Sequence, residues 1–321
     1  MSEQPTHVPS RTTKVAFAAT VFIGGMNFVA VKFSNSELPP LYGAGLRFAS
    51  AAVILLLIAK LGRMELPRGT ALLGAALYGI LNFAVGYALM YVALLGISAG
   101  TTSTVLACVP LITLVLAVIH RQERFTVHGV VGGLFAVAGI TVMSVRGLGA
   151  ELPILSLLAA VGGAFAFAES GVVVKGFPKS HPITTNAVGM AVGAVALFMG
   201  SAVSGEAWTV PQEARTWLVL VWLVVGGSIG LFGLFVFVIK RWTASASAYA
   251  ITLMPVISVT LGAVLADETI TPEVIAGGAL VVFGVYAGAL SARRSRGGGA
   301  HRAASVVSEE RVVAEEEAFA R

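Results

Sequence analysis

An all-α polytopic membrane protein, with ten transmembrane helices in two inverted five-helix repeats, is the fold that the sequence predicts. Three observations predict it. Of 321 residues, 57% are hydrophobic and only 12% charged, with a mean hydropathy of +0.89. A soluble domain carries about twice that share of charge. Apolar runs near the ~20 residues that cross ~30 Å of hydrocarbon recur along the whole chain. The chain also repeats itself: residues 104–140 return as 249–285, with Pro110 on Pro255, Glu123 on Glu268, Thr126 on Thr271 and Gly139 on Gly284. Self-similarity at a fixed offset is the signature of a duplicated unit.

Residues 1–12 are polar and are expected to form a disordered cytoplasmic N-terminus. The first apolar run covers 13–33. A cleaved signal peptide is its rival reading, but the small-residue site Ala16-Phe17-Ala18 comes too early in the run. Runs at 39–59, 70–95, 101–120 and 127–145 complete a first repeat over 13–146. Runs at 152–174, 182–203, 216–239, 244–266 and 273–291 form a second over 152–291. Lys32 and Pro39 fall on Lys175 and Pro182, whereas Asn27 falls on Ser170 and Arg47 on Met190. The two halves therefore share a frame without sharing all of its polar groups.

Local signals fit helices. Thr271-Pro272-Glu273 gives a hydroxyl N-cap, a proline at the first position and an acid near the positive dipole end. Gly132-Gly133 and Gly277-Gly278 let helices approach closely where lipid removes the hydrophobic drive to associate. Pro110 and Pro255 each free a carbonyl inside an apolar run, which makes them structural or gating candidates. Residues 292–321, basic and then Gly-rich and acidic, read as a disordered cytoplasmic tail.

Placing both termini in the cytoplasm collects Arg11, Lys14, Lys60, Arg63, Arg68, Arg121, Arg124, Lys175, Lys179, Lys240, Arg241, Arg293, Arg294 and Arg296 inside. Outside are left Lys32, Arg146 and Arg215. That bias sets the orientation. Five helices per repeat is an odd number, so the second half is inverted relative to the first. Such repeats place a site near the midplane of secondary transporters.

Glu169 and Arg47 are the embedded charges. A carboxylate at the bilayer centre costs ~2.5–3.5 kcal/mol on insertion scales, so Glu169 is expected to contact substrate, carry a coupling proton, or pair structurally nearer an interface. Arg47 either binds an anionic group or ties helices together, and a pairing with Glu169 is conceivable. Asn27, Ser170, Tyr78 with Asn82, and the stripe Ser245, Tyr249 and Thr252 are further substrate-binding candidates. Tyr78 and Asn82 are expected one turn apart, with Tyr87 and Tyr91 on the opposite face of the same helix.

Enzyme chemistry finds no pattern. The five histidines lack ligand spacing, the lone cysteine, Cys108, reads as a small buried hydrophobe, and no metal or cofactor is expected. The net charge of +5 sits at span ends, so nucleic acid is not an expected partner.

The stretch Gly24-Gly25-Met26-Asn27-Phe28 with Lys32, Arg47 in the second run, and Pro110, Glu123 and Gly132 repeated as Pro255, Glu268 and Gly277, resembles the EamA-type permeases of the drug/metabolite transporter superfamily. The resemblance spans 13–291; Ile23 stands where the family often carries Trp. It implies a multi-pass transporter of a plasma membrane, bacterial by composition. The cargo would be small metabolites such as amino acids or amphipathic compounds, exported by alternating access. Protons are the candidate coupling ion, and a monomer and a homodimer are both open. A sugar-nucleotide or phosphate-ester carrier of the same superfamily would need more basic groups in its cavity than Arg47. A non-transporting membrane sensor would bind ligand without flux.

Overall fold

The computed structural model describes residues 10–121, 127–144, 154–241 and 244–287; the side chains of 128, 129, 144, 236 and 239–249 lie outside the described set. Helix α1, Arg11–Ser34, starts where the Ser10 hydroxyl accepts from the Thr13 amide, and α2, Pro40–Leu61, starts on its proline. Helix α3, Thr70–Gly96, contains a π-helical stretch at Gly79–Gly86. Helix α4, Ala99–Ile119, is capped by Ser98 and interrupted at Ala107 and Cys108, just ahead of Pro110. Helices α5, Val127–Ser144, α6, Ile154–Val174, and α7, Pro182–Val203, follow. Helix α8 runs through Ala214–Val221, a second π-helical stretch at Trp222–Gly230, and Leu231–Arg241. Helix α9, Ala244–Leu265, passes through Pro255 without a break, and α10, Pro272–Val285, is capped by Thr271 as its sequence predicts.

No strand occurs among the described residues. Seven helices, α1 to α4 and α6 to α8, are long and apolar enough to cross a membrane, and 130–143, 250–265 and 272–285 are shorter apolar helices. The protein is an all-helical, polytopic membrane protein. Many large side chains, among them Val53, Leu72, Leu134, Leu158 and Val195, are exposed on its outside, as lipid contact requires.

Small residues decide which helices touch. Gly24 and Gly25 of α1 sit against Met254 and Ile257 of α9, where any added Cβ would collide. The backbones of α5 and α10 meet at Gly139 with Gly277 and at Gly132 with Gly284. Helix α2 lies along α7, and α6 crosses α3 and α4. Close backbone approach of this kind supplies the van der Waals contact that drives association in lipid.

The π stretches change what each bulged helix presents. A residue is added to the turn, so Ser228 Oγ donates to the Leu223 carbonyl five residues back at 3.0 Å. In α3 the same widening corrects the expected faces. Phe83 lies edge-on to Tyr78 at 5.4 Å and stacks on Tyr87 at 6.2 Å, so Tyr78 and Tyr87 border one aromatic cluster. Tyr91 is fully buried. A 3.6-residue period had placed the tyrosines on opposite sides, and the inserted residue rotates them together.

Candidate functional site

Both bulges face the seam between the first and second halves of the chain. At α8, the fully buried Arg47 donates from Nε to Ser228 Oγ at 2.9 Å and from Nη2 to the Gly227 carbonyl at 3.0 Å. Asn27 donates to the same carbonyl at 3.3 Å. A carbonyl oxygen carries two lone pairs, so one oxygen can accept from both side chains. Gly227 has no room for a Cβ, because Asn27 Oδ1 occupies the space. The guanidinium also lies 5.1 Å from the Phe48 ring centre and 5.0 Å from that of Tyr87. Asn27 Oδ1 and Arg47 Nη1 are buried with no hydrogen-bond partner among the described residues. A buried guanidinium costs several kcal/mol to desolvate and is retained where carbonyls and rings compensate it.

At α3 the polar contacts between helices are longer. Ser170 Oγ lies 2.7 Å from the Phe167 carbonyl and 3.3 Å from Asn82 Oδ1. A hydroxyl carries one hydrogen, so the shorter bond takes most of it and Asn82 is held weakly. Tyr78 Oη reaches Asn186 at 3.4 Å. Around them stand Phe83, Tyr87, Phe48, Phe167 and Phe232, with ring centres 4.7–5.7 Å apart in edge-on or tilted pairs. The bulge packs on α7 through glycine: Gly193 accepts Phe83 against it, and Gly79 abuts Gly189.

Sequence candidates thus divide. Asn27 and Arg47 meet at one bulge, and Asn82 and Ser170 at the other, with Tyr78 one contact away. Glu169 stands elsewhere. Its Oε1 pairs with His120 Nε2 at 3.1 Å at the end of α4, while Oε2 is buried without a partner among the described residues. Arg47 and Glu169 therefore have separate partners. Thr252 is buried in α9, and the side chains of Ser245 and Tyr249 lie outside the described set. Glu123, in the acidic turn matching Glu268, lies outside the described residues.

Among the described residues three carboxylates cap helices of the opposite sequence half, a role that no sequence pattern signalled. Glu268 Oε1 accepts from Lys32 Nζ at 2.6 Å and from the Ala99 amide at 2.8 Å, closing the start of α4. Glu206 accepts from the Leu41 and Tyr42 amides at 3.1 and 2.9 Å, at the start of α2. Glu37 accepts from the Gln212 and Glu213 amides at 3.2 Å, at the start of α8. The Thr216 hydroxyl, with those amides, holds the Glu37 carboxyl below its usual range. Free N–H groups and the helix dipole at each start reward a negative charge there. These pairings need distant segments, so spacing along the chain does not reveal them.

Among the described residues no three His, Cys, Asp or Glu side chains gather to hold a metal. An apolar groove of about 330 Å³ opens between α1 and α8, lined by Met26, Phe33, Leu218 and Trp222, with the Arg215 guanidinium 3.7 Å above the Phe33 ring centre.

The profile of the EamA-like transporter family matches the chain twice, at residues 13–145 and 154–288. An uncharacterized transporter of Archaeoglobus fulgidus is 27% identical over 291 residues, covering 85% of this chain and 96% of that protein. The uncharacterized inner membrane transporter YedA of Escherichia coli K12 is 29% identical over 260 residues, covering 80% and 83%. A protein of the same organism named a probable amino-acid metabolite efflux pump is 26% identical over 289 residues, covering 86% and 94%. One solved structure superposes with a TM-score of 0.63 at 19% identity over 88% of this chain and 98% of that one, a likeness of fold alone.

Proposed function

The chain belongs to the EamA-like transporter family, and from that premise we propose that it is a secondary transporter or facilitator exporting small amphipathic metabolites, amino acids among them, by alternating access. Ten spans in two inverted repeats form the frame. The double family match supports it, and so does the packing. α1 packs on α8 and α9, as α6 packs on α3 and α4, while α2 pairs with α7 and α5 with α10. A twofold exchange of the halves carries the α1 contacts into the α6 contacts and the α2–α7 and α5–α10 pairs onto themselves. A shift of 143 residues also moves 79–86 onto 222–229, within the second π stretch at Trp222–Gly230.

The substrate site is the α3 side of the seam. The observation that carries it is the weakly held Asn82, buried, next in sequence to Phe83 of the aromatic cluster, and bonded to Ser170 of the other half at 3.3 Å. Asn82, Ser170 and Tyr78 supply polar contacts, the rings take the apolar part, and the stripe Ser245, Tyr249 and Thr252 forms a further wall. Asn27 and Arg47 hold the α8 bulge in register. Glu169, engaged by His120, acts as a proton-coupling group rather than as a substrate contact. The relative named as an amino-acid metabolite efflux pump supports the substrate class, and the inner membrane transporter supports the location. The positive-inside bias supports cytoplasmic termini.

The test is thermal unfolding of the purified chain with amino acids, nucleosides and cationic drugs. A ligand at 100 times its Kd adds ~2.7 kcal/mol to the state it binds. Hydrophobic amino acids are expected to stabilise the wild type and Glu169→Gln, and to lose that effect in Asn82→Ala. Equal stabilisation of Asn82→Ala would remove the site from the α3 bulge.

A further inference from the structure

We propose that the concavity between the turn after α2 and the turn before α7 is a binding site for the phosphate headgroup of an anionic phospholipid. It encloses about 500 Å³ and is lined by Gly62 to Arg68 on one wall and Lys179, Ser180 and His181 on the other. The two walls come from different halves of the chain. Arg63, Arg68 and Lys179 share the lining with a single carboxylate, Glu65, and none of the three has an ion pair among the described residues. A positive-inside bias spreads cations along a whole membrane face, whereas these converge on one hollow.

The hollow is built before a ligand arrives. Arg63 holds φ at +50°, a conformation L residues rarely adopt, and the Arg63 and Met64 amides bond back to Lys60 and Ala59. Pro67 is buried beneath the turn. On the other wall, His181 Nδ1 accepts from the Ile183 amide at 3.3 Å, which leaves Nε2–H as a donor. Helix α7, of 22 residues, begins there, so its positive dipole end adds to the cations.

The occupant is a lipid rather than a soluble anion because the rim is greasy. Leu66 lines the hollow and is 47% exposed, and beside it Leu61 is 84% exposed, with Ile58 and Leu57 continuing down the outer surface of α2. A headgroup seated among the cations can lay its acyl chains along that strip, and basic pockets beside membrane helices bind anionic headgroups in this way. A free phosphate gains nothing from the strip.

The experiment reconstitutes the full chain into nanodiscs of phosphatidylcholine, with and without phosphatidylglycerol, and follows thermal unfolding. Wild type is expected to show a higher Tm with phosphatidylglycerol. The triple variant Arg63→Gln, Arg68→Gln, Lys179→Gln is expected to match wild type in phosphatidylcholine and to lose most of the rise, with phosphatidylglycerol affinity down roughly tenfold or more. Lys14→Gln with Lys175→Gln, which removes exposed cations that do not line the hollow, is expected to keep the rise. Should the triple variant fail to fold, Lys179→Gln alone must still reduce the rise. No rise in wild type, an equal rise in the pocket variant, or an equal loss in the Lys14 and Lys175 variant overturns the proposal. A rise of the same size with inorganic phosphate in phosphatidylcholine also overturns it, in favour of a soluble-anion site.

Discussion

The two bulged helices, α3 and α8, occupy matching positions in the two halves and differ in how they are held. At α8, Arg47 and Asn27 bond the Gly227 carbonyl and Ser228, and Glu37 caps the helix start. At α3, the counterpart of Asn27 is Ser170, whose bond to Asn82 is long, and the counterpart of Arg47 is Met190, which offers no hydrogen bond. The start of α3 is Gly69, with no side-chain cap. One frame has therefore been given two chemistries. At the α8 bulge the Gly227 carbonyl is bonded by two fixed side chains, Asn27 and Arg47, while at the α3 bulge the one bond that joins Asn82 to the other half is the 3.3 Å contact with Ser170.

The largest expected break in this comparison is Arg47→Met. It keeps most of the volume but removes two charged hydrogen bonds from a site with no access to water, each worth about 1.5–3 kcal/mol. A loss of about 3 kcal/mol or more is expected in denaturation, with a broadened transition if α8 loosens. Gly227→Ala comes next. Its Cβ would enter the space of Asn27 Oδ1, and overpacking of this kind costs about 1–3 kcal/mol. The double variant Asn27→Ala, Gly227→Ala should recover part of that cost, which a double-mutant cycle measures.

At α3 the matching change is milder. Ser170→Ala removes a 3.3 Å contact and a local bond to Phe167, so less than about 1 kcal/mol of stability is expected to go. A cost equal to that of Arg47→Met would erase the asymmetry. The smallest effect concerns Glu37. Its folded pKa lies below the usual value of 4.5, so its contribution is present above about pH 4.5 and fades as pH falls through the folded value. The Tm gap between wild type and Glu37→Gln should be constant from neutral pH down to about pH 5 and close below it.

The all-helical membrane fold was legible because apolar spans are written in long, redundant patterns. Apolar length, the paired prolines and glycines, and the Thr271 cap need no tertiary information. The close approach of Gly139 to Gly277 follows from their small size. The π stretches were not legible, since one added residue per turn leaves no mark in a hydropathy profile; in retrospect Gly226, Gly227 and Gly230 around Ser228 hinted at one. Missing them put Tyr78 and Tyr87 on opposite faces. The partners of Glu37, Glu206 and Glu268 were also out of reach, because a carboxylate finds a helix start in space, 165 to 175 residues away for Glu206 and Glu37, and Glu169 likewise meets His120 only through the packing of α6 on α4.

The most direct test of the account is efflux from proteoliposomes loaded with a hydrophobic amino acid, comparing wild type with Asn82→Ala at matched Tm. The α3 bulge as substrate site predicts flux down roughly tenfold, the worth of one buried hydrogen bond to a ligand, with stability nearly unchanged. Undiminished flux in Asn82→Ala would contradict it.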